Sequence, residues 1–298
     1  MKTIQTATLI DFIWLILLAS IWGSAFVGIE YALTGFDPFF VAFIRILFAA
    51  LFLLLFVYFK HLSFPKDLKT WMILILIGVL NNAMPFYLIS WGQQFISAGT
   101  ASVMLAMGPF VALILSHILT HDEKITFFKM VGVILGFAGV FILLGDDFLK
   151  GDHDSLYGKI ALLFAVMGYI SSGFLIRKIS HINTIVCSTS MFLTATIMMI
   201  PFLFFISFES MDIFSYPFLT IVYLAIVPTA TASLIRIKLV QKVGVQFMSQ
   251  VAYLIPLFAI FWSWVFFDVV PPLVVYVALI FIFTGLFIRK LNFSVPFR

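Results

Sequence analysis

Long apolar runs broken by short polar clusters fill the chain. Polar and apolar residues do not alternate as on a half-buried strand, nor do polar residues recur with a helical period that would leave a wet face. A run of about 20 apolar residues is long enough to cross a bilayer as a helix. Ten such spans are predicted: 11–33, 38–59, 71–92, 97–119, 126–144, 156–178, 183–206, 217–240, 246–267 and 271–289. The joins are short and carry turn formers, as in Gly35-Phe36-Asp37-Pro38 and Gly145-Asp146-Asp147. Continuously apolar runs argue against a β-barrel, whose strands alternate. The first run is longer than a signal-peptide core of roughly 7–15 residues and no A-x-A site follows it, so it reads as a retained helix.

Composition agrees. Of 298 residues, 63% are hydrophobic and 10% charged, with mean hydropathy +1.19; ordinary soluble domains carry about 25% charged residues. Soluble enzymes and nucleic-acid binders are thereby excluded. Cys187 is the single cysteine, so neither a disulfide framework nor a cysteine metal cluster is available. His117 and His121 end the fourth span, and His61, His153 and His181 fall in loops, which makes no metal cluster. No cofactor is expected, and the expected partners are a small-molecule solute and the lipid bilayer.

The basic residues orient the chain. One side holds Lys2, Lys60, Lys66, Lys69, Lys124, Lys129, Arg177, Lys178, Arg236, Lys238, Lys242, Arg289, Lys290 and Arg298, which is 14 of the 17 Lys and Arg. The other side holds Lys150 and Lys159, and Arg45 lies within a span. The positive-inside rule then places both termini in the cytoplasm of a multi-pass protein of the cell (inner) membrane.

The acidic loop 145–155 divides the chain into 1–145 and 146–298, each with five spans. An odd number makes the second half enter from the opposite side. The expected fold is therefore all-α, with ten transmembrane helices as two inverted five-helix repeats. An offset of 147 supports the relation, since it pairs Pro109 with Pro256, Gln94 with Gln241 and Ser102 with Ser249.

Several segments resemble the EamA-type members of the drug/metabolite transporter superfamily. They are Ser20-Ile21-Trp22-Gly23-Ser24-Ala25-Phe26, Asp37-Pro38 followed by Arg45, and the stretch from Trp91-Gly92-Gln93-Gln94 through Ser102-Val103 to Pro109. Glu123-Lys124 and Gly132, Gly136 and Gly139 complete the pattern, which covers essentially the whole length. The resemblance implies a ten-helix exporter or exchanger of small metabolites, prominently amino acids and related compounds. It also implies a central cavity lined mainly by the third, fourth, eighth and ninth spans. Asp268, Pro271-Pro272, Arg236 and Lys238 depart from the pattern.

Polar and helix-breaking residues near mid-span mark where a solute could bind. The third span reads Asn81-Asn82-Ala83-Met84-Pro85 and the eighth Pro228-Thr229-Ala230-Thr231-Ala232-Ser233. Paired interruptions in corresponding places of two halves are expected at an inverted-repeat site. Proline removes a donor and frees a carbonyl one turn back, and irregular backbone at this depth is tolerated only against protein or a wet cavity. Asn81, Met84, Tyr87, Trp91 and Gln94 share one face of the third span, and Asn82, Phe86, Ser90 and Gln93 share its neighbour. Both faces remain candidates, and interhelical hydrogen bonding is the plainer role for the asparagines. The expected lining is Trp22, Asn81, Asn82, Tyr87, Trp91, Gln94, Met107, Gln250 and Tyr253, with helix breaks at Pro85, Pro109, Pro228 and Pro256. The Gly132-x-x-x-Gly136 pair would serve an intramolecular contact or a homodimer.

Arg45 needs a partner, since an unpaired Arg near the bilayer centre costs about 2.5–3.5 kcal/mol on insertion scales. Glu30 or Asp37 is the expected one, as a structural ion pair or an outer gate. Every Asp and Glu maps to a loop or span end, so the midplane is expected to hold a neutral or zwitterionic solute without proton coupling. A membrane-embedded lipid-modifying enzyme and a channel are the alternatives. H-E-x-x-H, G-x-S-x-G and Walker A sequences are absent, as is a ring of charge.

Overall fold

The computed structural model describes residues 6–119, 127–179, 181–205, 212–243, 245–248 and 251–290. Among them every regular element is helical. Ten helical spans follow in order. They are α1 (Leu9–Ala32), α2 (Pro38–Phe59), α3 (Leu68–Gly92), α4 (Ala98–Leu105 then Gly108–Leu119) and α5 (Phe127–Lys150). The second set is α6 (His153–Lys178), α7 (Thr184–Phe205), α8 (Tyr216–Leu224, Ala225–Thr231 and Ala232–Val243), α9 (Val251–Phe267) and α10 (Leu273–Lys290). Seven contain a window long and apolar enough to span a bilayer; the apolar stretches Met130–Ile142, Leu254–Phe267 and Leu273–Gly285 of α5, α9 and α10 are shorter.

The polar clusters between the runs act as helix starts. A helix N-terminus leaves backbone N–H groups unpaired, and a short polar side chain satisfies them. Asp37 accepts from the amides of Phe39 and Phe40 at the head of α2, Asp67 from Thr70 in α3 and Ser97 from Thr100 in α4. Asp152, Asn183 and Ser215 do the same for α6, α7 and α8.

Packing shows the inverted repeat directly. The contacts α2–α7 and α5–α10 map onto themselves when each helix of one half is exchanged for its counterpart five places on. The same exchange turns α1–α8 into α6–α3, and α1–α9 into α6–α4, and all of these contacts are present. Small residues allow the close crossings. A Cβ on Gly23 in α1 would lie 2.8 Å from the Ala259 backbone nitrogen in α9. Gly285 of α10 meets the Gly132 carbonyl and the Gly136 nitrogen of α5, so that glycine pair serves a contact inside the chain.

Asp11, at the start of α1, pairs with Lys242, near the end of α8, at 2.7 Å. A first helix begins on the side where an eighth helix ends, so this pair fits the span count. Buried Met104, Met107, Phe110, Leu162 and Val275 fill the largest apolar core, while Leu55, Phe141, Phe164 and Ile280 are exposed on the outside. Apolar exposure of this kind suits a protein whose outer solvent is lipid.

Candidate functional site

Two of the ten spans change winding in mid-course. In α3, Val79–Ala83 forms a π-helical turn just before Pro85. In α8, Ala225–Thr231 does so with Pro228 inside it. Shifting Val79–Ala83 by 147 positions lands on 226–230, within the second turn. Proline supplies the cause, because its ring clashes with the carbonyl four residues back and it has no N–H to offer. An extra residue per turn absorbs the misfit, and π turns within α-helices recur at functional sites. α4 is interrupted at Ala106–Met107, ahead of Pro109, whereas α9 runs unbroken from Val251 to Phe267 through Pro256.

The π turns set a polar cluster inside the bundle. Asn81 Nδ2 donates to Asn82 Oδ1 at 3.1 Å. Asn81 Oδ1 accepts from Ser172 Oγ of α6 at 2.9 Å and from Arg236 Nη1 of α8 at 3.4 Å. Asn82 Nδ2 is buried and has no partner among the described residues. Arg45 of α2 is 6% exposed and donates from Nε to Thr229 Oγ1 in the second π turn at 2.6 Å. Its guanidinium also stacks over the Phe86 ring of α3, 4.2 Å from the centroid, a cation–π contact that gains strength away from water. Trp22 Nε1 of α1 donates to the Pro228 carbonyl at 3.1 Å. Nearby, Ser24 Oγ and Tyr223 Oη are 2.7 Å apart. The half-buried Tyr169 of α6 lies within electrostatic reach of both Arg45 and Arg236.

The expected residues separate. Trp22, Asn81 and Asn82 belong to this cluster, and Pro85 and Pro228 shape it. Of the two faces of α3, the one carrying Asn82, Phe86, Ser90 and Gln93 is wholly buried, and Gln93 Nε2 donates to the Phe26 carbonyl at 2.8 Å. On the other face Tyr87 and Gln94 are exposed, Tyr87 packs edge-on against Phe39, and the half-buried Trp91 meets Phe95. Met107 is fully buried in the apolar core, which corrects its place in the lining. Gln250 lies outside the described residues, as does the side chain of Tyr253.

The ion pair of Arg45 with Glu30 is also corrected. Glu30 instead accepts from the Ala98 amide at 2.8 Å and so caps the first turn of α4. A carboxylate at a helix N-terminus is held by unpaired N–H groups and the helix dipole, and this use takes Glu30 away from Arg45. Arg236, toward the end of α8, is half-buried and reaches Asn81. Arg236, Thr229, Phe86, Ser172 and Tyr169 complete the cluster. Arg236 had a signal in the sequence, since Leu234, Ile235 and Ile237 surround it within an apolar run. Two shallow clefts, one lined by Ile260, Phe261 and Trp264 and the other by Leu54, Tyr58 and His61, lie elsewhere and are mainly apolar. The polar cluster thus draws on α1, α2, α3, α6 and α8, and so shares the third and eighth spans with the lining that the resemblance implies.

Ten helices in inverted repeats, with irregular backbone and polar side chains meeting inside the bundle, define a multi-pass membrane transporter. The chain belongs to the EamA-like transporter family, which it matches over residues 9–145 and again over 156–289. It is 30% identical over 259 residues to the uncharacterized transporter YdfC of Bacillus subtilis, covering 86% of this chain and 83% of that one. It is 23% identical over 281 residues to the uncharacterized transporter YoaV of the same organism, covering 92% and 94%. A crystal structure 17% identical in sequence shares the fold with a TM-score of 0.67, over 97% of this chain and 98% of that one.

Proposed function

We propose that this protein is a secondary carrier that moves small metabolites, amino acids or related compounds, across the cell (inner) membrane by alternating access, as an exporter or exchanger. The halves 1–145 and 146–298 rock against each other, with both termini in the cytoplasm. The observation that carries this reading is the pair of π turns at matching places in α3 and α8, the first of which α8 also reaches through Arg236 and Asn81. A π turn is a helix caught with one residue too many, and passing that residue along the helix re-aims the side chains beyond it. Trp22, held on the Pro228 carbonyl, ties α1 to the turn in α8.

The chain acts as a carrier and not as an enzyme, and the solute moves down its own gradient or against a second solute. No Asp, Glu or His falls near the middle of any span, so no side chain there is suited to ferry protons. The Gly132–Gly136 surface is used by α10 of the same chain, which favours a monomer over a homodimer built on that stripe.

Counterflow into proteoliposomes, with radiolabelled amino acids, nucleosides and S-adenosyl compounds, tests the activity. Uptake is expected without an imposed ion gradient and should fall in Asn82→Ala. Proton-driven accumulation above equilibrium would overturn the uncoupled mechanism. For orientation, cysteines replace Asp154 and Ser63, both exposed, in a Cys187→Ser background. Only the first should label from outside intact cells; labelling of the second alone would invert the topology.

A further inference from the structure

Two guanidinium groups, Arg45 and Arg236, stand inside the bundle, and among the described residues no carboxylate touches either one. The side-chain ion pair present there, Asp11 with Lys242, lies at the bundle's end. Arg45 uses Nε on Thr229 and its π-face on Phe86, while its Nη groups have no protein acceptor among the described residues. Arg236 makes one long contact, 3.4 Å, to an Asn81 oxygen that Ser172 already serves at 2.9 Å. Beside them the buried Asn82 Nδ2 is an unused donor. Arg236 thus reaches Asn81, next to Asn82, while Arg45 reaches Thr229, and Tyr169 lies within electrostatic reach of both arginines.

A membrane interior does not hold an arginine without a counter-charge unless something else supplies it. Arginine presents planar, paired N–H groups that match the oxygens of a carboxylate or a phosphate. The same cluster has no carboxylate to balance a cation. An ammonium group would need a carboxylate, and none is among the residues that build it.

We propose that the cluster between Arg45, Arg236, Asn82 and Tyr169 binds the oxyanion of a net negatively charged organic solute, a carboxylate or a phosphate monoester. This rests on the carrier reading above and narrows it. Arg45 is held by Thr229 and Phe86 and forms the fixed wall. Arg236 is the mobile arm, since its hold on Asn81 is long and is readily exchanged for an anion. Uncompensated zwitterions and cations are disfavoured, so the neutral or zwitterionic solute expected from the sequence gives way to an anionic one. The reason is that Arg236 reaches inward to Asn81 and Arg45 has no carboxylate beside it among the described residues.

The test uses the full chain, purified in detergent and reconstituted in liposomes. The probes are succinate, pyruvate and glutamate as carboxylates, glycerol 3-phosphate as a phosphate monoester, leucine as a zwitterion and lysine as a cation. At least one anion is expected to raise the unfolding temperature and to exchange in counterflow. For that anion, Arg236→Gln and Arg45→Met should each raise the half-saturating concentration about tenfold or more, as loss of a charge-assisted hydrogen bond implies. Arg236→Lys should recover part of the loss, because it restores the charge without the fork. That recovery separates anion binding from a packing role. Carboxylate and phosphate arms identify which oxyanion is taken. Exchange confined to leucine or lysine would overturn the anion assignment while leaving the carrier reading intact. Anion binding without any counterflow would do the reverse. Failure of every anion to bind, or binding indifferent to both arginine variants, would also overturn the assignment.

Discussion

The hydrogen bond from Arg45 to Thr229 carries a prediction that does not depend on the solute. It joins α2 to the π turn of α8 through a charged donor at 2.6 Å, and both residues are buried, at 6% and 3% exposure. Hydrogen bonds to charged groups contribute about 1.5–3 kcal/mol in soluble proteins. Interhelical bonds in membranes average about 0.6 and reach about 1.7 kcal/mol, because the unfolded helices find other partners. A coupling of about 1–2 kcal/mol follows. Single variants would mislead, since Arg45→Met also removes a buried charge together with its desolvation cost. The double-mutant cycle of Arg45→Met with Thr229→Val cancels this contribution. The assay is reversible unfolding of the purified protein in mixed micelles, read for the parent, both single variants and the double. Thr229→Val should destabilise the parent and leave the Arg45→Met protein nearly unchanged, while Thr229→Ser, which keeps the hydroxyl, should retain the coupling. A coupling below about 0.5 kcal/mol, the scatter of independent sites, would refute the bond's role.

Two more outcomes follow from local geometry. Gly23→Val should lower stability by about 1–3 kcal/mol through overpacking, and Phe258→Ala should not rescue it, because the clash is with the Phe258 Cβ and the Ala259 backbone; rescue by that variant, seen in thermal unfolding, would place the contact elsewhere. The Asp67 carboxyl, outside the spans, is held below its ordinary 3.8 by hydrogen bonds from Thr70. Its capping contribution is therefore complete above that value and is lost as pH falls through the lower folded value, which should appear as loss of Thr70 amide protection only under strongly acidic conditions.

What could be read from the sequence was whatever an average over many residues reports. Ten spans rest on runs of about twenty apolar residues, and no single substitution hides such a run. The helix starts were legible at α2, α4 and α8, predicted from 38, 97 and 217 and observed from Pro38, Ala98 and Tyr216, but less so at α3, predicted from 71 and observed from Leu68, because the cap at Asp67 precedes the apolar run. The π turns were half legible. Pro85 and Pro228 announce that the α-helical ladder fails there, but not that the chain resolves the failure by widening the turn. The partners were not legible. Glu30 lies near the C-terminal end of α1 and Arg45 in the first half of the next span, and only tertiary placement shows that the amide of Ala98 reaches the carboxylate first. The inward turn of Arg236 was hidden for a related reason. The positive-inside rule counts basic residues near a span end, and a long side chain near that end can turn inward as well as outward.

The internal repeat bears on selectivity as well as on the fold. The exchange that relates the halves carries Asn82 onto Thr229, so the two π turns present a buried polar side chain at the same place. It carries Arg45 onto Phe192, however, and Arg236 onto Ile89, both of which are buried. The backbone plan is shared while the charges are not. Inverted halves give two conformations of similar architecture, open to opposite sides, and movement between them needs no side chain in particular. Nothing in that symmetry requires an arginine, and an arginine at this depth is costly to keep. Residues that break the symmetry at a cost are the ones that must answer to something outside the fold. In this bundle they are two guanidinium groups set beside the shared polar pair, and their common requirement is a negative charge that the cluster itself does not contain.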